Sequence, residues 1–369
     1  MSSGPGVWRE SRRMKKGLLT IVQVAITLAI LYFVFRDPAK RAAMADALAR
    51  ADLTWLLAGL LVYGSIEILA VIRWQWLLRV QGIDLAWPRV FALVFIGIFF
   101  NFFIPGGTGG DMVKVFYLLK ETPGKRAAAL LSVLVDRVIG VISLAVLAGV
   151  LVLTNWAWLT SVPGTLRYVW ITVIILGASL GGLHMSYVIT KHGWVHKLPA
   201  RMPGRDRLAE LALAYNLYGK AWRPTLGAFG LSIAAHFGYF ATFYFAGRAY
   251  DTGTRVPSFA EICAVMPIVN TLAAMPISLG GVGVREGLFE IFFGQLCGVS
   301  NAVAVITSST GYLLTLAWGL VGGMIYLFYR PSEHARLREM RKSVAEFEHQ
   351  VAEDEIAVEV AAEQRKSET

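Results

Sequence analysis

Charge is scarce in this chain and cysteine scarcer. Only 16% of its 369 residues are Asp, Glu, Lys or Arg, against 56% hydrophobic, which excludes a water-soluble domain with an ordinary charged surface. The two cysteines, Cys263 and Cys297, lie in or beside apolar stretches without metal-like spacing and read as packing residues. Also missing are H-E-x-x-H, a cysteine-histidine cluster and G-x-x-x-x-G-K-[ST]; the run G-V-G-V-R-E-G fails G-x-G-x-x-G in spacing and follows no soluble strand. No metal or nucleotide cofactor is therefore expected, and the chain is read as a non-enzyme without ATP-driven chemistry. Basic patches interleaved with aromatics are absent outside the apolar segments, so the net charge of +10 does not indicate nucleic acid.

What the sequence has is apolar length. Residues 17–35 follow the basic run RRMKK and are too long for a usual signal-peptide core, so they are expected to form an uncleaved first span. Further spans of about the 20 residues a bilayer requires are expected at 53–72, 127–153, 167–190, 225–249 and 302–329. The remaining apolar regions, 89–120 and 258–294, are each cut in the middle by proline and glycine.

These two regions repeat one another. P-G-G-T-G-G-D-M-V-K from Pro105 and P-I-S-L-G-G-V-G-V-R from Pro276 share a proline, glycines at +4 and +5, and a long cation at +9, 171 residues apart. Each arm beside a break holds only about 15 apolar residues, too few to span alone, so each region is expected to dip into the membrane and return. Three full spans lie between the breaks. The two hairpins therefore enter from opposite faces, giving an all-α polytopic fold of about six spans and two inverted re-entrant hairpins.

Loop charge supports the same topology. Residues 191–224 carry seven Lys and Arg against Asp206 and Glu210, whereas 154–166 carry no charge and offer Trp156 and Trp158 as interfacial anchors. Both termini are thus expected in the cytoplasm, at the cell membrane. The chain divides into a basic N-terminus (1–16), a membrane body (17–330) and a charged cytoplasmic tail (331–369). The tail from Ser332 holds 10 acidic and 6 basic residues, which leaves the rest of the chain at +14.

Irregular backbone at membrane depth is tolerated only inside protein or along a wet cavity. The glycines at 109–110 and 280–281 are therefore expected to line a cavity and to offer helix N-termini to an anion; tight helix crossing, as expected at Gly177/Gly181 and Gly319/Gly323, is the plain alternative. Lys114 and Arg285, about 13 Å of helix beyond their prolines, are expected near opposite surfaces as two mouths. Asp136 and Arg137 fall near the bilayer centre, where each charge costs about 2.5–3.5 kcal/mol; adjacent residues diverge by about 100°, so each needs its own partner, Glu67 and Asp111 being candidates for Arg137. His184 and His236 read as satisfied interior histidines, and Arg73 with Trp74 and Trp76 as a membrane-edge anchor, the alternative being an inward-facing Arg73 that meets lipid phosphate.

Asn101, Pro105, Gly109, Gly110, Asp111 and Lys114, the Asp136-Arg137 pair, Arg73-Trp74, and the run P-I-S-L-G-G-V-G-V-R-E-G together resemble the flippase-like membrane domain of the lysylphosphatidylglycerol synthase family over roughly residues 17–329. In two-part members that domain moves an aminoacylated anionic lipid while a separate module makes it. Only about 39 residues follow Tyr329, so no synthase activity is expected. Asp111 and Lys114 stand where the family often has Glu and Arg, which keeps the charge and loses the planar fork. The resemblance implies leaflet-to-leaflet translocation of a lipid with an anionic or phosphate-containing headgroup. The alternatives are an ion-coupled transporter of a small anionic solute and a membrane-embedded lipid-modifying transferase. The implied substrate-contacting set is Asn101, Pro105, Gly109, Gly110, Asp111, Lys114, Pro276, Gly280, Gly281, Arg285 and Glu286, with Glu67, Arg73, Asp136 and Arg137 as an intramembrane charge network. A membrane lipid, a second copy of the chain and a lipid-synthesising enzyme are the partners considered.

Overall fold

The computed structural model describes residues 25, 27–103, 109–122, 125–192, 217–251, 253, 255–275 and 277–329. The basic N-terminus, about half of the expected first span, Pro105, Pro276, the centre of the 191–224 loop and the acidic tail lie outside them. Among the described residues the chain is helical: α1 (27–35), α2 (Pro38–Ala49), α3 (Leu53–Val80), α4 (Trp87–Phe103), α5 (Gly109–Glu121), α6 (Arg126–Thr154), α7 (Trp156–Leu159), α8 (Pro163–Lys191), α9 (Trp222–Arg248), α10 (Phe259–Ala273), α11 (Val284–Cys297) and α12 (Asn301–Phe328), with a 3₁₀ turn at Leu279–Gly281.

Among the described residues five helices are long and apolar enough to cross a membrane: Leu53–Val80, Arg126–Thr154, Pro163–Gly182, Trp222–Arg248 and Asn301–Phe328. They match five of the six expected spans. The ends follow local chemistry. Asp52 caps α3 by accepting from the Thr54 amide at 2.8 Å, and Ser300 caps α12 through the Val303 amide. At its far end α3 runs eight residues past the expected stop at 72, so Arg73 and Trp74 lie within the helix and turn into the bundle rather than anchoring its edge. A cation ends an apolar span only when it must reach water, and Arg73 is neutralised inside. The short helix α2 was not expected; Asp37 at its N-cap and Pro38 at its first position were the sequence signal.

The two interrupted regions form helical hairpins. Their arms of 17, 13, 15 and 14 residues measure about 25, 20, 22 and 21 Å, all short of the roughly 30 Å hydrocarbon core. At the open end of the first, Arg89 of α4 pairs with Glu121 of α5, and Tyr329 beyond α12 donates to the same carboxylate at 2.9 Å. At the open end of the second, the Cys297 thiol reaches Glu261 at the start of α10. The first open end lies where α3 and α12 finish. The second lies at the opposite end of the bundle, where the Asp52 amide at the start of α3 bonds the Ala249 carbonyl after α9.

Packing divides by hairpin. One apolar core joins Trp74, Leu93, Phe95 and Phe116 around α3, α4 and α5, and another joins Phe243, Met266, Phe289 and Phe293 around α9, α10 and α11. Helix α12 presses on α4 through glycine: a β-carbon on Gly322 would stand 2.0 Å from the Phe95 carbonyl oxygen, while Gly319 and Gly323 seat Phe102 and Phe99. Gly177 and Gly181 have nothing within 4 Å, so the tight crossing expected on α8 is not formed among the described residues. Leu57, Leu61, Leu153, Ile174, Leu226, Leu320 and Leu327 point outward, as suits helices whose solvent is lipid.

Candidate functional site: two buried charge centres

The first centre is anchored by Asp136. Its Oδ1 accepts from Arg73 Nε at 2.8 Å, and its Oδ2 lies 3.6 Å from Lys114 Nζ. Arg73 also donates through Nη1 to Ser232 Oγ of α9 at 2.9 Å. Lys114 is 7% exposed, its ammonium 4.1 Å from the centre of the buried Trp74 ring. Arg137 turns away from Asp136, as adjacency on a helix requires, and grips Asp111 with a two-point fork at 2.6 and 2.8 Å. Four helices, α3, α5, α6 and α9, are thereby tied by one polar cluster. Glu67 of α3 receives the hydroxyl of Tyr63 one turn earlier and lies within electrostatic reach of Arg73, Lys114 and Arg137 without a direct ion pair to them.

The second centre lies at the break between α10 and α11. Arg285 is 6% exposed; its Nη2 donates to the Gly280 carbonyl at 3.1 Å and its guanidinium sits 4.4 Å from the Tyr312 ring centre. Its Nη1 is buried with no partner among the described residues, as is the Ser278 hydroxyl two residues before Gly280. Gly280 and Gly281 have φ of 59° and 74°, a left-handed region that glycine enters without steric cost. The turn is fixed from outside by the Leu279 amide, which donates to Thr27 Oγ1 at 2.9 Å.

The two breaks converge on one aromatic. Tyr312 of α12 packs edge-on against Phe102, beside the first break, with centroids 5.6 Å apart. The same side chain meets Arg285, and a β-carbon on Gly280 would stand 2.9 Å from its hydroxyl. Tyr312, Ser278 and Ser232 were missed at the level of sequence, since an uncharged polar residue in an apolar helix carries no positional signal.

Several expectations are corrected. Gly110 does not line a cavity: its amide donates to Asn101 Oδ1 at 3.0 Å, and a β-carbon there would fall 1.9 Å from the Gly97 carbonyl oxygen, so the residue permits a close α4/α5 crossing. Gly109 is likewise buried. Asn101 closes the break and has its carbonyl spent on Gly110. Glu286 is also spent, accepting from the Gly283 amide at 2.6 Å and the Ser308 hydroxyl at 3.2 Å as the capping residue of α11. Lys114 and Arg285 are interior cations and not surface mouths, because both are bound to groups deep in the bundle. Of the histidines, His236 bonds the Gly140 carbonyl at 3.2 Å, whereas His184 is exposed on α8.

The family profile described as the lysylphosphatidylglycerol synthase TM region matches residues 20–323. A UPF0104 membrane protein of Pyrococcus horikoshii is 24% identical over 333 residues, covering 85% of this chain and 97% of that protein. A second, from Methanothermobacter thermautotrophicus, is 23% identical over 333 residues, covering 83% and 94%. With five helices among the described residues long and apolar enough to cross a membrane, and a profile match over most of its length, this chain belongs to the lysylphosphatidylglycerol synthase transmembrane-region family of multi-pass membrane proteins.

Proposed function

We propose that this protein translocates a lipid with an anionic or phosphate-containing headgroup between membrane leaflets, through two hairpins that dip into the bilayer from opposite faces. The observation that carries this reading is Arg285. A buried guanidinium with a free donor is costly unless an anion completes it, and here it is bonded to the Gly280 carbonyl, two residues after the unpartnered Ser278 hydroxyl, at a broken helix where the second hairpin approaches the first across Tyr312. In the first centre Asp136 pairs with Arg73 and Lys114, and Asp111 pairs with Arg137, so each cation there already has a carboxylate partner. It acts as the frame against which the Arg285 centre works. Transport rather than group transfer fits carboxylates that are engaged by cations or capping amides.

The test is leaflet-resolved flux of fluorescent lipids in proteoliposomes, followed by dithionite quenching. Arg285→Gln is expected to slow an anionic lipid about ten- to a hundredfold, the effect of losing about 1.5–3 kcal/mol of charge-assisted hydrogen bonding, and to slow a zwitterionic lipid less. Arg285→Lys should fall between, since it keeps the charge and loses the fork. For passive scrambling both directions fall by the same factor; a one-sided effect signals ion coupling. Unchanged flux in a folded Arg285→Gln protein refutes the assignment.

A further inference from the structure

We infer that the seam between the end of α3 and the start of α9 is the port at which an anionic glycerophospholipid docks by its phosphate before it enters the bundle. A groove of about 550 Å³ opens there, lined by Trp76, Arg79, Val80, Arg223, Pro224 and Gly227. Among the described residues neither of its two guanidiniums is held in a close ion pair. Arg79 is 57% exposed and its contact with Asp84, at 3.8 Å, is loose and solvated; Arg223 lies over the exposed ring of Trp222, 5.4 Å from its centre. Guanidinium forks match phosphate oxygens. Gly227 sits against Trp76, where a β-carbon would come within 2.7 Å of the indole, so the floor of the groove is aromatic.

The surroundings select a lipid over free phosphate. Trp222 and Leu226 project outward beside the groove, an interfacial aromatic and an apolar rail of the kind that meets headgroup and acyl chain together. The same pair of helices also carries part of the first buried centre. Arg73 lies six residues before Arg79 on α3, about 9 Å deeper, and Ser232 lies nine residues after Arg223 on α9, about 13 Å deeper; these two are bonded to each other at 2.9 Å. A phosphate leaving the Arg79 and Arg223 pair along this seam next meets the first buried centre. The port deepens the translocation reading and rests on it for its role, while its occupancy is measured separately.

The experiment is photocrosslinking of the full chain in nanodiscs with diazirine-labelled phosphatidylglycerol or phosphatidylcholine, with mapping of the labelled peptides. Phosphatidylglycerol is expected to label residues 76–80 and 222–227, to be competed by unlabelled phosphatidylglycerol, and not to be competed by excess inorganic phosphate. Arg79→Gln and Arg223→Gln should each lower that labelling about fivefold, as removal of one basic residue from an anionic surface does, and the lysine variants should keep most of it. Equal labelling by phosphatidylcholine, competition by inorganic phosphate, or indifference to both substitutions in a protein of unchanged Tm overturns the port. Arginine-dependent labelling without flux would leave the port standing and remove translocation; flux with arginine-independent labelling would do the reverse.

Discussion

At the scale of single residues, a buried charge is informative through what it is paired with. Asp136 serves two cations, Arg73 at 2.8 Å and Lys114 at 3.6 Å. Breaking a buried pair by removing one member strands the other, at a cost of about 3–5 kcal/mol, whereas removing both members is far cheaper. Asp136→Asn is therefore expected to lower the thermal unfolding midpoint in detergent markedly. Adding Lys114→Met should recover part of the loss, because one of the two stranded cations is then gone. A double variant no more stable than Asp136→Asn alone would show that Lys114 gains nothing from Asp136. That Asp136 and Arg137 look to different partners was legible in the sequence, from the 100° between neighbours. Which partners they take was only half legible: Asp111 was a candidate for Arg137, but the Arg73 link needs α3 to continue as helix past its expected end, and hydropathy stops counting at a cation.

At the scale of elements, the hairpins show how far periodic pattern reaches. Arm length and the shared proline and glycine spacing marked both regions as short helices around a break, because length against bilayer thickness is a hard constraint. The same spacing did not reveal that the two glycine pairs do different work. Gly110 is chosen for contact, its missing β-carbon letting the α4 backbone approach, while Gly280 and Gly281 are chosen for positive φ. Sequence records only the residue type, and both needs select glycine. Gly110→Ala is accordingly expected to destabilise the protein by prying α4 from α5, with Gly149→Ala in α6, where nothing lies within 4 Å, as a neutral control. Differential scanning fluorimetry of the two variants reads this directly, and equal midpoints would mean that the α4/α5 crossing yields at little cost.

At the scale of the whole molecule, charge and the hairpin openings share one polarity. Where α3 ends, the first hairpin opens and α9 begins, Arg79, Arg89, Lys120, Lys125, Arg126, Lys220 and Arg223 stand against only Asp84 and Glu121 among the described residues. At the other end Arg36, Lys40, Arg41, Arg50, Arg167, Arg248 and Arg255 are largely offset by Asp37, Asp46, Asp52, Asp251 and Glu261. The positive-inside rule predicts that the first end faces the cytoplasm; under the proposed translocation the first hairpin and the α3/α9 groove would then take lipid from the inner leaflet and the second hairpin would open outward. The prediction is tested in a protein whose buried Cys263 and Cys297 have been replaced by alanine. In intact cells a membrane-impermeant maleimide should label Ser161→Cys and Arg255→Cys, both exposed at the balanced end, and should label Arg126→Cys only after the membrane is opened. Labelling of Arg126→Cys together with Arg255→Cys from outside would place both hairpin openings on one face. An inverted pair would then be impossible, and the proposed path from one leaflet to the other would lose its support. Labelling with the sides exchanged would keep the inversion and move the lipid port to the outer leaflet, where charge alone argues against it.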